Sequence, residues 1–470
     1  MRNRNYIKSI KQFKSAFAFG GTEIISKGIN WFIPFLLFFI SAENKNAYGI
    51  LAILIAFEHI ARTILDMGQR RIIFRFFKSD DDNSEFLSTT FSIWIIATTI
   101  TLFLFSMILV VFDFNTFFEI PINAYFYTFI ASFIAINTIT FVSCYFRISK
   151  QIIRYSKLHL TINIMRLSTI IILSIITNNV LNGYILGTAI SYLAGVIISL
   201  NVFKEIKYRF KVKKDIFINN IKYGYPLVLQ QLISNLGPNI DKFILASFVT
   251  LEAIATYNFI VTLTSAFVFI TGIMTTYFEP IIFRCKDNHK KLLAANNTFL
   301  YSSQLLESTI IIITYIFMYI LGYNEYCCIY MLVAISYLLH PLYYFNMYVY
   351  MTHDKNLYIV KFTLIAVISV VVADLILINL FGILGAAYAQ LVYAIVISWL
   401  SYFYMTKKFP MLRSDMNKKI GIVTLTSLSI CSIANISILY CFLCIYILTT
   451  SLVYIFKNKR DVFEAIKGDL

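Results

Sequence analysis

The sequence predicts an all-α integral membrane protein of about fourteen transmembrane helices, arranged as two parallel six-helix bundles followed by a C-terminal helix pair. Three observations carry that prediction. The 470-residue chain is 59% hydrophobic and only 14% charged, with a mean hydropathy of +0.75. Apolar runs long enough to cross a bilayer recur from one end to the other. The basic residues gather in every second segment between those runs. A soluble chain of this length would form two or three domains, and this composition excludes them. The formal net charge of +16 is therefore read as membrane topology rather than as a nucleic-acid footprint.

The runs follow in order. Ala16 to Ser41, Gly49 to Gly68, Leu87 to Phe112, Ala124 to Tyr145, Leu158 to Ile176 and Val180 to Phe203 form a first set of six. Tyr225 to Val249, Ile254 to Tyr277, Thr298 to Leu321, Tyr326 to Tyr350, Leu357 to Leu380 and Ile383 to Met405 form a second. The remaining stretch, Ile420 to Phe456, is 37 residues long and is read as a tight helix pair split near Asn435. Domains are accordingly expected at 1–203 and 223–408, joined by a cytoplasmic linker at 204–222 and followed by two extra helices and a tail at 409–470.

Charge fixes the count. Alternating the segments between the two sides puts 34 of the 40 Lys and Arg residues on the side of the N-terminus and one, Lys45, opposite, while five lie within spans. The basic side is the cytoplasmic one. Lys457, Lys459, Arg460 and Lys467 place the C-terminus there too, which requires an even number of spans. The basic start, Arg2 to Lys14, resembles a signal peptide, but no small-residue cleavage site follows, so the first helix is expected to stay as an anchor. Of the seven cysteines, six lie in or beside apolar stretches and no disulfide or metal site is expected; Cys441 and Cys444 have redox spacing but no further ligand nearby.

An internal duplication supports two bundles. Shifting the chain by 209 residues aligns Ile24, Gly28, Asn30, Leu36, Phe39, Glu43 and Tyr48 with Ile233, Gly237, Asn239, Leu245, Phe248, Glu252 and Tyr257. Ile185-Leu186-Gly187-Thr188-Ala189 likewise corresponds to Ile383-Leu384-Gly385-Ala386-Ala387. Both halves start from the same side, which makes them parallel repeats, a transporter architecture.

Charged residues within the spans are the candidates for function, because each costs about 2.5–3.5 kcal/mol at mid-bilayer if it faces lipid. Glu23 and Lys27 are one turn apart on the first span, and Glu58, Arg62 and Asp66 recur at four-residue steps on the second, so each set shares a helix face. His159, Asn163 and Arg166 form a polar stripe on the fifth span; Gln231, Asn235, Asn239 and Lys242 form another on the seventh. Asp241 lies about 100° around that helix from Lys242, so the two are not expected to pair. Plain alternatives stand beside these readings: Glu23 with Lys27 and Glu58 with Arg62 as mere intrahelical ion pairs, Asp66 and Lys361 as snorkelling end residues, and His340-Pro341 as a kink. Glu307 beside Gln304 is a gate or interhelical glue, with Asp374 equally open, and Asp80 to Asp82 is a solvated loop.

Asn30-Trp31-Phe32-Ile33-Pro34, Ala47-Tyr48-Gly49, Met67-Gly68 followed by Arg70 and Arg71, and Gly382-Ile383-Leu384-Gly385-Ala386-Ala387 occur in an order that resembles the polysaccharide transport family. That family includes the O-antigen flippases and belongs to the MOP superfamily with the MATE drug exporters. The resemblance implies an inner-membrane flippase for undecaprenyl-pyrophosphate-linked oligosaccharide, without bound cofactor and driven by an H+ or Na+ gradient. Lys27, Arg62, Arg166 and Lys242 are then expected to bind the pyrophosphate, since fixed cations in a low-dielectric cleft are strong phosphate ligands. Gln231, Asn235 and Asn239 are expected to meet sugar hydroxyls, and Glu23, Glu58, Asp66 or Asp241 to carry the coupling ion. Expected partners are the lipid-linked oligosaccharide, membrane lipid and the polysaccharide polymerase machinery, with the chain acting as a monomer and no nucleic acid involved. The competing reading is a MATE-type exporter of small organic cations. An enzyme is disfavoured because the outer loops hold few ionic groups, and an ATP-driven pump because no phosphate-binding Gly-x-x-x-x-Gly-Lys-Ser/Thr loop occurs.

Overall fold

The apolar runs fold as long helices. The computed structural model describes residues 21, 25–26, 28–41, 44–77, 83–149, 151–284, 288–353, 355–408 and 437–458. The described helices are α1 (Gly28–Ile40), α2 (Lys45–Asp66), α3 (Gln69–Phe76), α4 (Ser84–Val111), α5 (Ala124–Ile148), α6 (Ile152–Ile176), α7 (Val180–Glu205) and α8 (Lys214–Phe248). They continue with α9 (Leu251–Arg284), α10 (His289–Ile320), α11 (Cys327–Thr352), α12 (Asn356–Phe381), α13 (Ile383–Lys408) and α14 (Ser437–Lys457). A two-stranded antiparallel hairpin, β1 (Thr116–Phe117) with β2 (Ile120–Pro121), joins α4 to α5.

Among the described residues, ten helices are long and apolar enough to cross a membrane. The chain is a multi-pass helical membrane protein. Of the predicted helix pair at its end, residues 437–457 form α14, and the proposed split near Asn435 lies outside the described residues.

Local chemistry explains where several helices begin. Asn44, Asn123 and Asn179 each precede a helix, and their side-chain oxygens accept from the backbone N–H groups of Ala47, Phe126, and Leu181 with Asn182. These bonds satisfy donors that a helix start otherwise leaves bare. Helix α2 ends differently. Met67 and Gly68 both adopt left-handed backbone (φ 48° and 69°), and the chain turns at once into the short basic α3. The carbonyl of Leu65, freed by that turn, accepts from Trp94 Nε1 at 2.7 Å and from Asn137 Nδ2 at 3.3 Å.

The described residues divide into two compact units, one within Met1–Ala246 with Thr250–Ala255, the other within Ser247–Val249 with Thr256–Leu470. By contact α8 thus goes mainly with the first unit, whereas the sequence repeat groups its apolar part with the second set of spans. In the first unit the core beside α4, α5 and α7 is aromatic: Trp94, Phe91 and Phe141 pack together, with Phe203 and Tyr208 against them.

The repeated glycines have a structural reason. A Cβ at Gly187 would lie 2.6 Å from the backbone nitrogen of Ile170, and one at Gly385 would lie 2.0 Å from the carbonyl oxygen of Leu377. In both units a glycine therefore lets a helix close onto the one before it, α7 onto α6 and α13 onto α12. Small residues at such contacts are how membrane helices bring their backbones together.

Candidate functional site

Three helices of the first unit build an ionic cluster. Helix α2 supplies Glu58 and Arg62 one turn apart, α6 supplies Arg166, and α7 supplies Tyr184, Thr188 and Tyr192. The Glu58 carboxylate sits 3.4 Å from Arg62 Nη1 and 3.5 Å from Arg166 Nη2, and it accepts from the Tyr184 hydroxyl at 2.5 Å. Arg166 also donates to the oxygens of Tyr184 (2.7 Å), Asn30 (3.2 Å) and Thr188 (3.4 Å). Its guanidinium lies over the rings of Tyr184 and Tyr192, 5.3 and 5.4 Å from their centres. Such stacking and fork-like donation suit Arg and not Lys.

The cluster opens into a cavity of ≈330 Å³. Arg62, Arg70, Arg147 and Arg166 line it, with Asp66 as the one carboxylate among the described lining residues. Other polar groups on the wall are Ser26, Asn30, Asn137, Thr140, Tyr155, His159, Asn163 and Tyr192. Arg70 Nε pairs with Asp66 at 3.0 Å, and Arg147 stacks on Phe74 at 5.0 Å. The side chain of Arg166 is 8% exposed and that of Arg62 is 30% exposed, so Arg62 is the member that reaches into the open space. Four guanidinium groups against Asp66 and the Glu58 behind it leave the cavity cationic.

The predicted residues divide sharply. The structure brings Arg62, Arg166, Glu58 and Asp66 to one place, and the stripe of His159, Asn163 and Arg166 faces the cavity. Arg166, which has no carboxylate on its own helix, finds one across the bundle in Glu58. Asp66 does not snorkel: it is 4% exposed and held by Arg70. Lys361 is exposed near the start of α12, as a snorkelling residue would be. Glu23, Lys27 and Asp80 to Asp82 lie outside the described residues.

The α8 stripe behaves otherwise. Lys242 Nζ lies 3.5 Å from Asp241 Oδ1, and the Lys242 backbone N–H donates to the same oxygen at 2.8 Å. These neighbours pair despite their angular separation, because both are buried and the four-carbon lysine stem bends back rather than leave its charge uncompensated. Asn235 donates to Thr63 Oγ1 of α2 at 2.6 Å, and Asn239 donates to the carbonyl of Asn235. Gln231 is half-buried. None of Gln231, Asn235, Asn239, Asp241 and Lys242 is among the described lining residues of the cavity.

Sequence reasoning missed Tyr184, Tyr192, Asn30, Arg70 and Arg147. Tyrosine and asparagine are so abundant here that no single one stands out, and Arg70 and Arg147 had been assigned to cytoplasmic loops. The available signal was helical phase, since Arg70 follows Asp66 by one turn.

The site thus lies in a many-helix membrane protein, as an arginine-lined polar cavity inside one helical unit. A family model described as polysaccharide biosynthesis protein matches residues 15–286, more than half of the chain, and the chain belongs to that family. Among solved structures, the lipid II flippase MurJ in an inward closed conformation superposes with a TM-score of 0.67 at 14% identity, covering 94% of this chain and 99% of that one. An inward-facing multidrug resistance MATE family transporter of the MOP superfamily gives 0.64 at 10% identity, over 81% and 94%. The Vibrio cholerae MATE transporter VcmN in its bent form gives 0.53 at 16%, over 87% and 97%. At these identities the likeness is one of fold, and the fold is that of the MOP-superfamily transporters. No curated protein matches the chain in sequence.

Proposed function

We propose that this protein is a flippase that moves an undecaprenyl-pyrophosphate-linked oligosaccharide, an O-antigen or capsule repeat unit, across the bacterial inner membrane by alternating access. Both termini are cytoplasmic in this reading, and an H+ or Na+ gradient supplies the energy. The observation that carries it is the cavity of the first unit, where four arginines face one aspartate. A diphosphate bears negative charge and many acceptor oxygens, and guanidinium groups in a partly desolvated site bind it through charge-assisted hydrogen bonds. Arg62 makes the direct contact, and Arg166, held by Glu58 and two tyrosines, supplies a fixed positive field behind it. Asn30, Asn137 and Asn163 offer neutral donors and acceptors suited to sugar hydroxyls. The opposite cargo, a small organic cation of the kind a drug exporter carries, would meet repulsion here.

The test is complementation of a strain that lacks its own flippase for the same repeat unit. A charge-assisted contact contributes about 1.5–3 kcal/mol, so Arg62→Ala is expected to lower surface glycan roughly tenfold or more. Arg62→Glu, which reverses the charge, is expected to abolish it at equal membrane abundance. Normal glycan from Arg62→Glu would overturn the assignment. Normal glycan together with a multidrug-sensitive phenotype would move the reading to the exporter.

A further inference from the structure

The second unit contains a carboxyl group that the proposed cargo site does not use. Glu307, in the interior of α10, is 0% exposed. Thr271 Oγ1 of α9 lies 2.7 Å from Glu307 Oε1, and the same hydroxyl lies 2.8 Å from the carbonyl oxygen of Phe267. A threonine hydroxyl owns one hydrogen, so it cannot donate to both acceptors at once. Glu307 Oε2 has no hydrogen-bond partner among the described residues, and neither does Gln304 Oε1, one turn away on the same helix.

No cation among the described residues compensates this group. Among the described residues, α10 packs against α9, α11 and α14. From α9 the group in contact is the neutral Thr271, and from α11 the titratable group that senses Glu307 is Tyr344. Among the described residues of α14, no titratable side chain interacts with it. No Lys, Arg or His among the described residues forms an ion pair with Glu307. An ionised carboxylate here would be desolvated, with a single shared hydrogen to offset the loss.

We propose that Glu307 binds a proton at Oε1 and is an exchangeable proton site of the second unit. The added hydrogen completes the chain: Glu307 Oε1 donates to Thr271 Oγ1, and Thr271 donates to the Phe267 carbonyl, at the two distances observed. Release is balanced in atoms and charge. The proton passes from Oε1 to a water molecule, the carboxylate remains, and the Thr271 hydrogen turns from the Phe267 carbonyl to Oε1. The deprotonated state is favoured only when water reaches α10, so occupancy of this site follows the access state of the second unit. The ligand assigned is H+, because one added hydrogen completes the Glu307–Thr271–Phe267 run at the two distances observed, and the sodium arm of the test below decides against Na+.

The inference adds an ion site to the proposed transport cycle but does not depend on the cargo, and it is tested without any. Infrared difference spectra are recorded on the full-length protein in lipid nanodiscs, wild type against Glu307→Gln. At neutral pH the wild type is expected to show the carbonyl stretch of a protonated carboxyl that the variant lacks. That band should bleach as pH rises, with carboxylate bands growing in, and should be unmoved by sodium chloride at fixed pH. Thr271→Val should keep the band and shift its frequency. Should Glu307→Gln not fold, Glu307→Asp replaces it, and the band must then shift rather than vanish. Identical spectra for wild type and Glu307→Gln at neutral pH would overturn the proposal, as would a band that sodium abolishes at fixed pH.

Discussion

Buried charge is met by opposite charge in the first unit, whereas Glu307 of the second has only neutral groups in contact among the described residues. Among the described residues, the buried cations are Arg166 and Lys242, both in the first unit, where Glu58, Asp66 and Asp241 answer them or their neighbours. Among the described residues, the second unit buries the carboxyl group of Glu307, and no Lys, Arg or His forms an ion pair with it. The backbones are built alike all the same, with a glycine closing α7 onto α6 and another closing α13 onto α12. The difference teaches that two units can share the same glycine-mediated helix contact while differing in how they hold buried charge, which is the basis of the two roles proposed above.

The sharpest way to break this comparison is to remove the central carboxylate of each unit. Glu58→Ala leaves Arg166 buried without its counter-charge and should destabilise the protein by about 3–5 kcal/mol, read as loss of the folded peak in fluorescence-detected gel filtration or a fall in melting temperature. Glu307→Gln, which removes no ion-pair partner, should cost far less in the same assay; equal losses would mean that the two units hold charge in the same way.

Next in size is a test of what the units share. Gly187→Val and Gly385→Val each force a side chain into backbone, and both should cost about 1–3 kcal/mol or more. A large loss for one alone would show that the helix contacts have diverged as the charges have. A smaller effect, about 1–2 kcal/mol, is expected for Trp94→Phe, which removes the Nε1 donor to Leu65 and leaves the space of the lost second ring at a fully buried site. The smallest should come from Lys45→Ala. Lys45 and Glu252 lie 3.4 Å apart with side chains 40% and 63% exposed, and solvent-exposed pairs contribute roughly 0–1 kcal/mol.

The fold was legible because lipid demands long apolar helices, and the runs starting at Ala124, Val180 and Ile383 begin where the helices do. Helix length was less legible. Helix α8 begins at Lys214 rather than Tyr225, α9 continues to Arg284 past Tyr277, and α10 begins at His289 rather than Thr298. The extra turns of α8 and α10 carry Lys, Asn and Asp or His, and that of α9 carries Glu279, Pro280 and Arg284, so hydropathy falls while the helix goes on. Of the site, the faces were readable: four-residue spacing placed Arg62 with Asp66, and steps of four and three placed Arg166 with His159 and Asn163. Partners across helices were not, since nothing in the spacing of α2 says that Tyr184 and Arg166 will meet Glu58. The Lys242–Asp241 pair was misjudged because helical angle describes Cβ directions, and a long side chain is free to depart from them.

The stop at the end of α2 has a consequence for how the protein can change. Because α4 and α5 both grip the Leu65 carbonyl, the segment that bears Glu58 and Arg62 is pinned at its terminus and cannot screw or slide without dragging two neighbours along. Exchanging individual side chains along α2 therefore leaves this anchorage intact, whereas any change in the course of the helix must also move α4 and α5.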